Sequence, residues 1–265
     1  MTHDTLIHSQ QEGSLTINVR EDKAHRWLDF GDGAIQSIID LQRSHTLVSP
    51  LHQATMAGLI FLPTPQNMLL LGLGGGAIAR FMAHHQPSCK GFAVEVSPAV
   101  ANLARKYFDF PQGWGLHIGS AREYLADGYE PNKYGDINRQ VDYLLVDIAQ
   151  QTHTPDWICS APFLTQCRQK LSACGVVVFN LVPHNTDELT RQLTAIRKVF
   201  SARTLCLSIP CHHNVLVFGF AQRPIFESNA ELQSRIAALT QQWPLPFDTF
   251  LKQMIHDNPE GSGVF

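Results

Sequence analysis

The sequence has no apolar run that could cross a membrane and no excess of positive charge. Its longest apolar stretches are strand-sized, well short of the roughly 18 residues that a membrane-spanning helix needs. The formal net charge is -3 at pH 7, which gives no electrostatic footprint for nucleic acid. Residues 1–13 are polar and lack the apolar core of a signal peptide. We therefore expect a cytoplasmic protein without a nucleic acid or membrane partner.

Closely spaced cysteines are also missing. The six cysteines form no C-x-x-C pair, so reduced thiols in the core are favoured over a disulfide framework or a metal site. The histidines include two adjacent pairs, His84-His85 and His212-His213. Because neighbouring side chains on a helix or strand point in different directions, we expect neither pair to hold a metal ion and predict no metal cofactor.

The most informative segment is a glycine-rich turn between a short apolar run and a helical pattern. Its glycines are Gly72, Gly74, Gly75 and Gly76. Glycines at such a place let the backbone approach a ligand, and the following helix directs its N-terminus at it. A second apolar run ends at Glu95, near the offset of about 20 residues at which an acidic residue binds ribose hydroxyls in nucleotide-binding units. The pattern predicts a nucleoside ligand.

The glycine spacing leaves the kind of nucleoside open. The dinucleotide pattern G-x-G-x-x-G is matched only with Ala77 in its third glycine position. The segment therefore fits a dinucleotide and also fits S-adenosylmethionine or one of its derivatives.

Short apolar runs alternate with helical patterns along most of the chain. Strands are predicted at 67–72, 90–96, 115–119, 141–147, 175–181, 203–209 and 213–220. Helices are predicted at 49–61, 75–85, 97–108, 120–126, 160–172, 185–199 and within 228–255. Nearly continuous apolar strands indicate a mostly parallel sheet that is covered on both faces. The last two strands are too close in sequence for a crossover and should be antiparallel.

The first part of the chain has a different pattern. Three strand-like runs, at 15–20, 25–30 and 34–39, predict a small β unit, whereas the polar stretch 128–140 predicts a loop. We therefore predict an α/β protein with an N-terminal β unit at 1–48 and a Rossmann-like, doubly wound domain at 49–265. The β unit has exposed edges and too few residues for its own core, so we expect a homodimer to cover it.

These motifs, in this order, resemble the polyamine aminopropyltransferases, the spermidine and spermine synthase family. The resemblance covers roughly residues 15–220. It is carried by the glycine turn, Val94-Glu95-Val96, Gly119-Ser120-Ala121, the strand that ends in Asp147, the segment Asp32–Gln36 and Phe163-Leu164-Thr165-Gln166.

The resemblance implies a homodimer with a methyltransferase-type fold and a pocket for S-adenosylmethionine or its decarboxylated form. The glycine turn would line the ligand, and Gln36 would contact its ribose or the chain on its sulfonium. Glu95 would bind the ribose hydroxyls, and Ser120 and Ala121 would lie beside the adenine. Asp147 matches the carboxylate that helps to deprotonate the attacking amine, and it would also face the positive sulfonium.

Three departures from the family pattern concern charge. Ser120 stands where the family has an aspartate for the adenine, and Gln150 replaces a second carboxylate that binds a substrate amine. The span 41–94 contains no Asp, Glu or Tyr, so the family's Tyr and Glu before the glycine turn are absent. Because a buried polycation needs carboxylates around it, we expect the polyamine half of the site to be eroded.

The leading hypothesis is a spermidine synthase-like transferase with an unknown small-molecule acceptor. Two alternatives stay open: methyl transfer to a neutral or anionic acceptor, and a nucleoside-binding protein without catalysis.

Overall fold

Two β-sheets organise the chain in the computed structural model, which describes residues 4–126, 140–150, 153–225, 228–261 and 264. The first sheet is antiparallel, in the order β1 (Thr5–Glu12), β2 (Leu15–Glu21), β3 (His25–Asp29), β4 (Ile35–Asp40). The second sheet contains β5 (Asn67–Leu71), β6 (Lys90–Glu95), β7 (Gly115–Ile118), β8 (Val141–Val146), β9 (Leu171–Leu181), β10 (Thr204–Ser208) and β11 (Val215–Phe220). The predicted loop over 128–140 falls outside the described residues except for its last position.

The second sheet has the order β10-β11-β9-β8-β5-β6-β7. Strands β5 to β9 are parallel to one another, and β11 and β10 are antiparallel to their neighbours. The predicted α/β fold with an antiparallel last pair is therefore confirmed. The chain extends the sheet from β5 to β7 on one side and then returns to place β8 on the other side of β5. Ligands of doubly wound sheets bind at such a switch point, beyond the carboxyl ends of the strands.

Helices cover both faces of this sheet. They are α1 (Pro50–Thr55), α2 (Ala77–His85), α3 (Pro98–Tyr107), α4 (Ala121–Ala126), α5 (Ala161–Lys170), α6 (Thr186–Val199), α7 (Asn229–Gln242) and α8 (Phe247–Asp257), with 3-10 turns at Met56–Ile60 and Asp156–Cys159. The helical stretch expected within 228–255 is thus two helices. Pro244 and Pro246 lie in the break, where their missing N–H groups prevent a continuous helix. None of the helices in the described part of the chain has the length and apolar character that crossing a bilayer requires.

Alternate residues of the central strands belong to two separate cores. Leu70 and Tyr143 pack with the cluster that includes Trp243 of the C-terminal helical region, whereas Leu71 and Leu144 pack with the cluster below α5 and α6. This is the result of the twofold side-chain repeat of a strand. Burial on both faces explains why the strands are apolar at nearly every position.

The N-terminal sheet shares its core with α3 of the larger unit. Ile17, Val19 and Leu28 are fully buried against Val100 and other residues of that helix. The sequence prediction missed β1, because this edge strand is polar and shows no apolar alternation. The sheet therefore has four strands where three were expected.

Hydrogen bonds of two side chains, Glu12 and Arg26, also join the N-terminal sheet to α3. The Glu12 carboxylate accepts hydrogen bonds from the Ser97 hydroxyl and from the Ala99 N–H, the latter at 3.1 Å. At the other end of the helix, Arg26 donates to the Tyr107 carbonyl at 2.8 Å. The sheet is thus fastened beside the carboxyl ends of the parallel strands.

Candidate active site

The glycine turn lies at the switch point and is packed from two sides. Gly72 has a φ of +94°, and a Cβ on it would lie 2.0 Å from the Asp147 carbonyl oxygen. Gly75 has no unusual φ, but a Cβ there would lie 2.6 Å from the Ser37 hydroxyl oxygen of β4. The turn therefore lies directly against both the end of β8 and the N-terminal sheet, and a side chain at either position would require a rearrangement.

Glu95 ends β6 with its carboxylate turned towards the glycine turn. One carboxylate oxygen accepts the Leu73 N–H at 3.0 Å, and the other accepts the Ser97 N–H at 2.9 Å. The side chain is buried, and burial raises the pKa of its carboxyl while the backbone hydrogen bonds lower it. Glu95 thus fixes the shape of the turn in addition to its predicted role at the ribose.

The other residues predicted to bind the nucleoside lie around the same turn. A Cβ on Gly74 would lie 3.8 Å from the Gln36 carbonyl oxygen, which places β4 over the turn. Ser120 follows β7, where the Gly119 N–H donates to the Glu95 carbonyl at 2.8 Å. Its hydroxyl accepts a long hydrogen bond, 3.4 Å, from the Glu123 N–H, and the buried Ala121 begins α4. These residues share one edge of the sheet over β5, β6 and β7.

Asp147 lies on the other side of the switch point and belongs to a half-buried chain of polar side chains. Asn180 of β9 donates to the Asp147 carboxylate at 2.7 Å and accepts from the Asn214 amide at 2.9 Å. Asn180 is buried, so its amide holds the carboxylate in one orientation. The sequence prediction missed Asn180, although a single polar residue near the carboxyl end of an apolar strand was a visible signal.

His52 of α1 is a second residue that the sequence prediction missed. Its Nδ1 is buried and has no hydrogen-bond partner within the described residues. Burial lowers the pKa of His52, the charge of Asp147 opposes that shift, and the charge of Arg80 adds to it. His52 therefore lies within the electrostatic reach of Asp147 and presents an unpaired ring nitrogen.

Arg80 connects the glycine turn to two neighbouring loops by hydrogen bonds. Its buried guanidinium donates to the carbonyls of Gly75, Phe108 and Ser44, the last at 3.0 Å. Burial lowers the pKa of Arg80 to about 10, so it stays charged at neutral pH. A cation in contact with three carbonyl oxygens ties the turn to the loops that flank it.

A cavity of about 590 Å³ opens beyond β8 and β9. It is lined by Gln150, His153, Pro155, Asp156, Trp157, His184, Asn185, Glu188 and Arg191. All of these residues follow β8 or β9 in the chain, so the cavity lies at the same edge of the sheet as Asp147 and the glycine turn.

The cavity contains charged side chains that the sequence did not assign to the site. Two carboxylates, Asp156 and Glu188, line it beside the neutral Gln150. The Glu188 carboxylate already accepts from the His184 N–H at 2.8 Å and from the Gln192 amide at 3.0 Å. Asp156 is exposed at the rim, and the exposed Arg191 adds a positive charge.

The chain matches no protein family model, but it is similar to individual proteins. The polyamine aminopropyltransferase of Chromobacterium violaceum is 30% identical over 255 residues, which cover 95% of this chain and 94% of that protein. The eEF1A lysine and N-terminal methyltransferase of Xenopus laevis is 28% identical over 196 residues, 68% of this chain and 27% of that one. A probable spermidine synthase from Corynebacterium glutamicum, solved by crystallography, has a TM-score of 0.73 at 17% identity and covers 98% of this chain and 96% of its own.

Proposed function

Because the chain belongs to the polyamine aminopropyltransferase family, we propose that it is a transferase for an S-adenosylmethionine-type donor, in its ordinary or decarboxylated form. One observation carries the proposal: the glycine turn and Asp147 meet at the switch point, where a Cβ on Gly72 would lie 2.0 Å from the Asp147 backbone. The Asp147 backbone is thus packed against the turn, and a ligand bound on the turn would lie near this residue.

The nucleoside half of the proposed site lies over β5, β6 and β7. The backbone N–H groups of the turn and of the start of α2 would contact the ligand. This contact requires no charged side chain. Glu95 and Gln36 lie on either side of the turn, at its base and at β4. Ser120 offers its hydroxyl oxygen as the acceptor for an adenine amino group. A hydroxyl is a weaker acceptor than a carboxylate.

The catalytic half of the proposed site contains Asp147 and His52. When bound, the donor supplies a carbon activated by a sulfonium, with a neutral thioether as its leaving group. Asp147, oriented by Asn180, would stabilise the positive charge of the donor and of the acceptor ammonium that forms. His52 is neutral at neutral pH because burial lowers its pKa, so its unpaired Nδ1 can accept the proton that the acceptor loses.

We further propose that polyamines are poor acceptors. Gln150 contributes no charge, and Glu188 in the same cavity already accepts two hydrogen bonds from the chain itself. Asp156 faces solvent and shares the cavity with Arg191. A dication would therefore leave one ammonium without a free carboxylate, at about 1–3 kcal/mol for each lost charged hydrogen bond.

Methyl transfer is the second candidate. It is supported by the similarity to a protein methyltransferase over 68% of this chain, since a nucleoside site on the glycine turn could equally hold a methyl donor. The two reactions differ in the donor and in the group that is transferred, and a product mass separates them.

The experiment follows the thioether product and the mass of the acceptor. Purified protein is incubated with S-adenosylmethionine or its decarboxylated form and with putrescine, cadaverine or spermidine. We expect wild-type turnover of all three polyamines to be low and Gln150→Asp to raise it, while Asp156→Asn, at the rim, changes it little. Brisk turnover of putrescine by the wild type would overturn the proposed loss of the polyamine site and leave the transferase assignment in place.

A further inference from the structure

We propose that His45, His84 and His85 form a binding site for one Zn²⁺ ion at the C-terminal end of α2. His84 and His85 end that helix, and His45 comes from the loop after β4. One ligand atom from each of the three side chains lies within 4.8 Å of the others. The adjacent pair alone predicts no metal site, and the fold adds a third imidazole from a distant segment.

The three rings already lie against one another. The His45 and His84 ring centroids are 3.7 Å apart with the planes at 15°, and those of His84 and His85 are 4.8 Å apart. Zinc–nitrogen bonds are about 2.0–2.1 Å long in tetrahedral sites, which sets nitrogen pairs at about 3.3 Å. The ligand atoms, within 4.8 Å of one another, must therefore approach by up to about 1.5 Å and turn out of the stacked arrangement. The exposed His84 side chain has the freedom to make most of that movement.

Two features of the cluster suit a metal ion: its place at the end of a helix and the neutral form of its imidazoles. The carbonyl end of a helix carries a partial negative charge, and both His84 and His85 lie in the last turn of α2. Burial lowers the pKa of His45 and lowers that of His85 to about 4, so both imidazoles are neutral, the form that binds metals. The charge of Arg43 also lowers the pKa of His45, and Arg43 is paired with Asp40 at 3.2 Å.

One buried atom in the cluster has no hydrogen-bond partner in the described part of the chain. It is Nε2 of His85. A buried polar atom without a partner costs free energy, and a metal ligand bond would remove that cost. Three imidazoles suit Zn²⁺ and its neighbours in the first transition series, whereas Mg²⁺ and Ca²⁺ prefer oxygen ligands.

The position of the cluster indicates a structural role for the ion. Helix α2 is about 13 Å long, so the cluster lies at the opposite end of the helix from the glycine turn. The Ser44 carbonyl, next to His45, accepts from Arg80, and Arg80 also contacts Gly75 of the turn. A bound ion would therefore clamp the loop that Arg80 connects to the nucleoside half of the site.

The test counts zinc on the full chain after removal of any purification tag. Protein stripped with a chelator is dialysed against ZnCl₂, and bound metal is measured by mass spectrometry. We expect about one ion per chain in the wild type and at least a fivefold loss in His45→Ala and in His84→Ala. A variant with His212→Ala and His213→Ala removes the other adjacent pair and should retain the ion.

Cobalt gives a second, spectroscopic readout. Co²⁺ in a tetrahedral site absorbs visible light, so the wild type should develop a band that is absent in His84→Ala. Circular dichroism checks that each variant is folded. If His45→Ala does not fold, His84→Ala tests the site instead, because the His84 side chain is exposed. The proposal is wrong if the stripped wild type takes up no zinc at 100 μM, or if the zinc count is the same in His84→Ala as in the wild type.

Discussion

Asn180 donates a hydrogen bond of 2.7 Å to the carboxylate of Asp147, and the acceptor oxygen of its own amide is occupied by Asn214. The amide therefore has a fixed orientation, and so does the carboxylate. Asn180 lies on β9 and Asp147 just beyond β8, so two neighbouring strands determine where the negative charge points.

Replacing Asn180 with alanine tests whether this orientation matters for the reaction. A hydrogen bond to a charged group is worth about 1.5–3 kcal/mol, so kcat should fall between about tenfold and a hundredfold. Binding of the donor should change little, because Asn180 does not line the glycine turn. Asn214→Ala, which removes only the outer bond of the chain, should have a smaller effect on kcat. An unchanged kcat in Asn180→Ala would exclude Asn180 as a positioning residue.

Replacing Glu95 with alanine should weaken binding of any adenosyl ligand by at least about 1.5 kcal/mol, through the lost contact to the ribose hydroxyls. Because Glu95 also accepts from Leu73 and Ser97, the variant should unfold at a lower temperature as well. Glu12→Ala is the matched control, since Glu12 binds the same start of α3 but not the turn. It should lose stability and keep its affinity. Equal affinities in wild type and folded Glu95→Ala would remove Glu95 from the site.

Gly72→Ala should be much more destabilising than Gly33→Ala. Both glycines have a positive φ, +94° and +80° respectively, so both substitutions carry a backbone cost of about 1–2 kcal/mol. Only at Gly72 would the new methyl group meet a backbone atom, at 2.0 Å, while the space around Gly33 is open. Urea unfolding of the two variants measures the difference. Similar midpoints for both would show that the switch point is not tightly packed.

The acid side of the pH profile should report His52. Burial holds the pKa of His52 below its ordinary value of 6.5, so the ring is neutral at pH 7 and becomes protonated only in more acidic solution. If His52 accepts a proton from the acceptor, kcat/KM should fall as the pH drops through that lowered value. His52→Gln should have low activity and should lose that limb of the profile. If the acid limb of the kcat/KM profile persists in His52→Gln, it reports another group and the assignment to His52 is wrong.

We also predict a homodimer. Strands β1 and β4 are the two edges of the N-terminal sheet, and Leu6 and Ile35 on them are 48% and 54% exposed. Edges with exposed apolar side chains invite pairing with a second copy. Light scattering at tens of micromolar should give twice the mass of 29.6 kDa, and Leu6→Lys should shift the mass towards the monomer. A monomeric wild type would contradict the prediction.

The sequence was most informative where chemistry is local. Apolar runs, glycines and prolines predicted nearly all elements of the large sheet, because burial on both faces makes its strands apolar throughout. The polar strand β1 was missed, since its pairing with β2 depends on the surrounding fold.

The candidate site was harder to predict, because its contacts join distant segments. Asn180 and Asp147 meet only after two strands pair, and His45 reaches the adjacent histidines of α2 only through the packing of its loop. The carboxylates of Asp156 and Glu188 could likewise be assigned to the cavity only from the structure.

The most direct test of the central claim is a calorimetric titration of the wild-type protein with four adenosyl ligands. They are S-adenosylmethionine, its decarboxylated form, methylthioadenosine and S-adenosylhomocysteine. We predict that at least one binds in the micromolar range and that the affinity falls in Glu95→Ala but not in Glu12→Ala. If none of the four binds at millimolar concentration, the glycine turn is not an adenosyl site and the proposed transferase function is wrong.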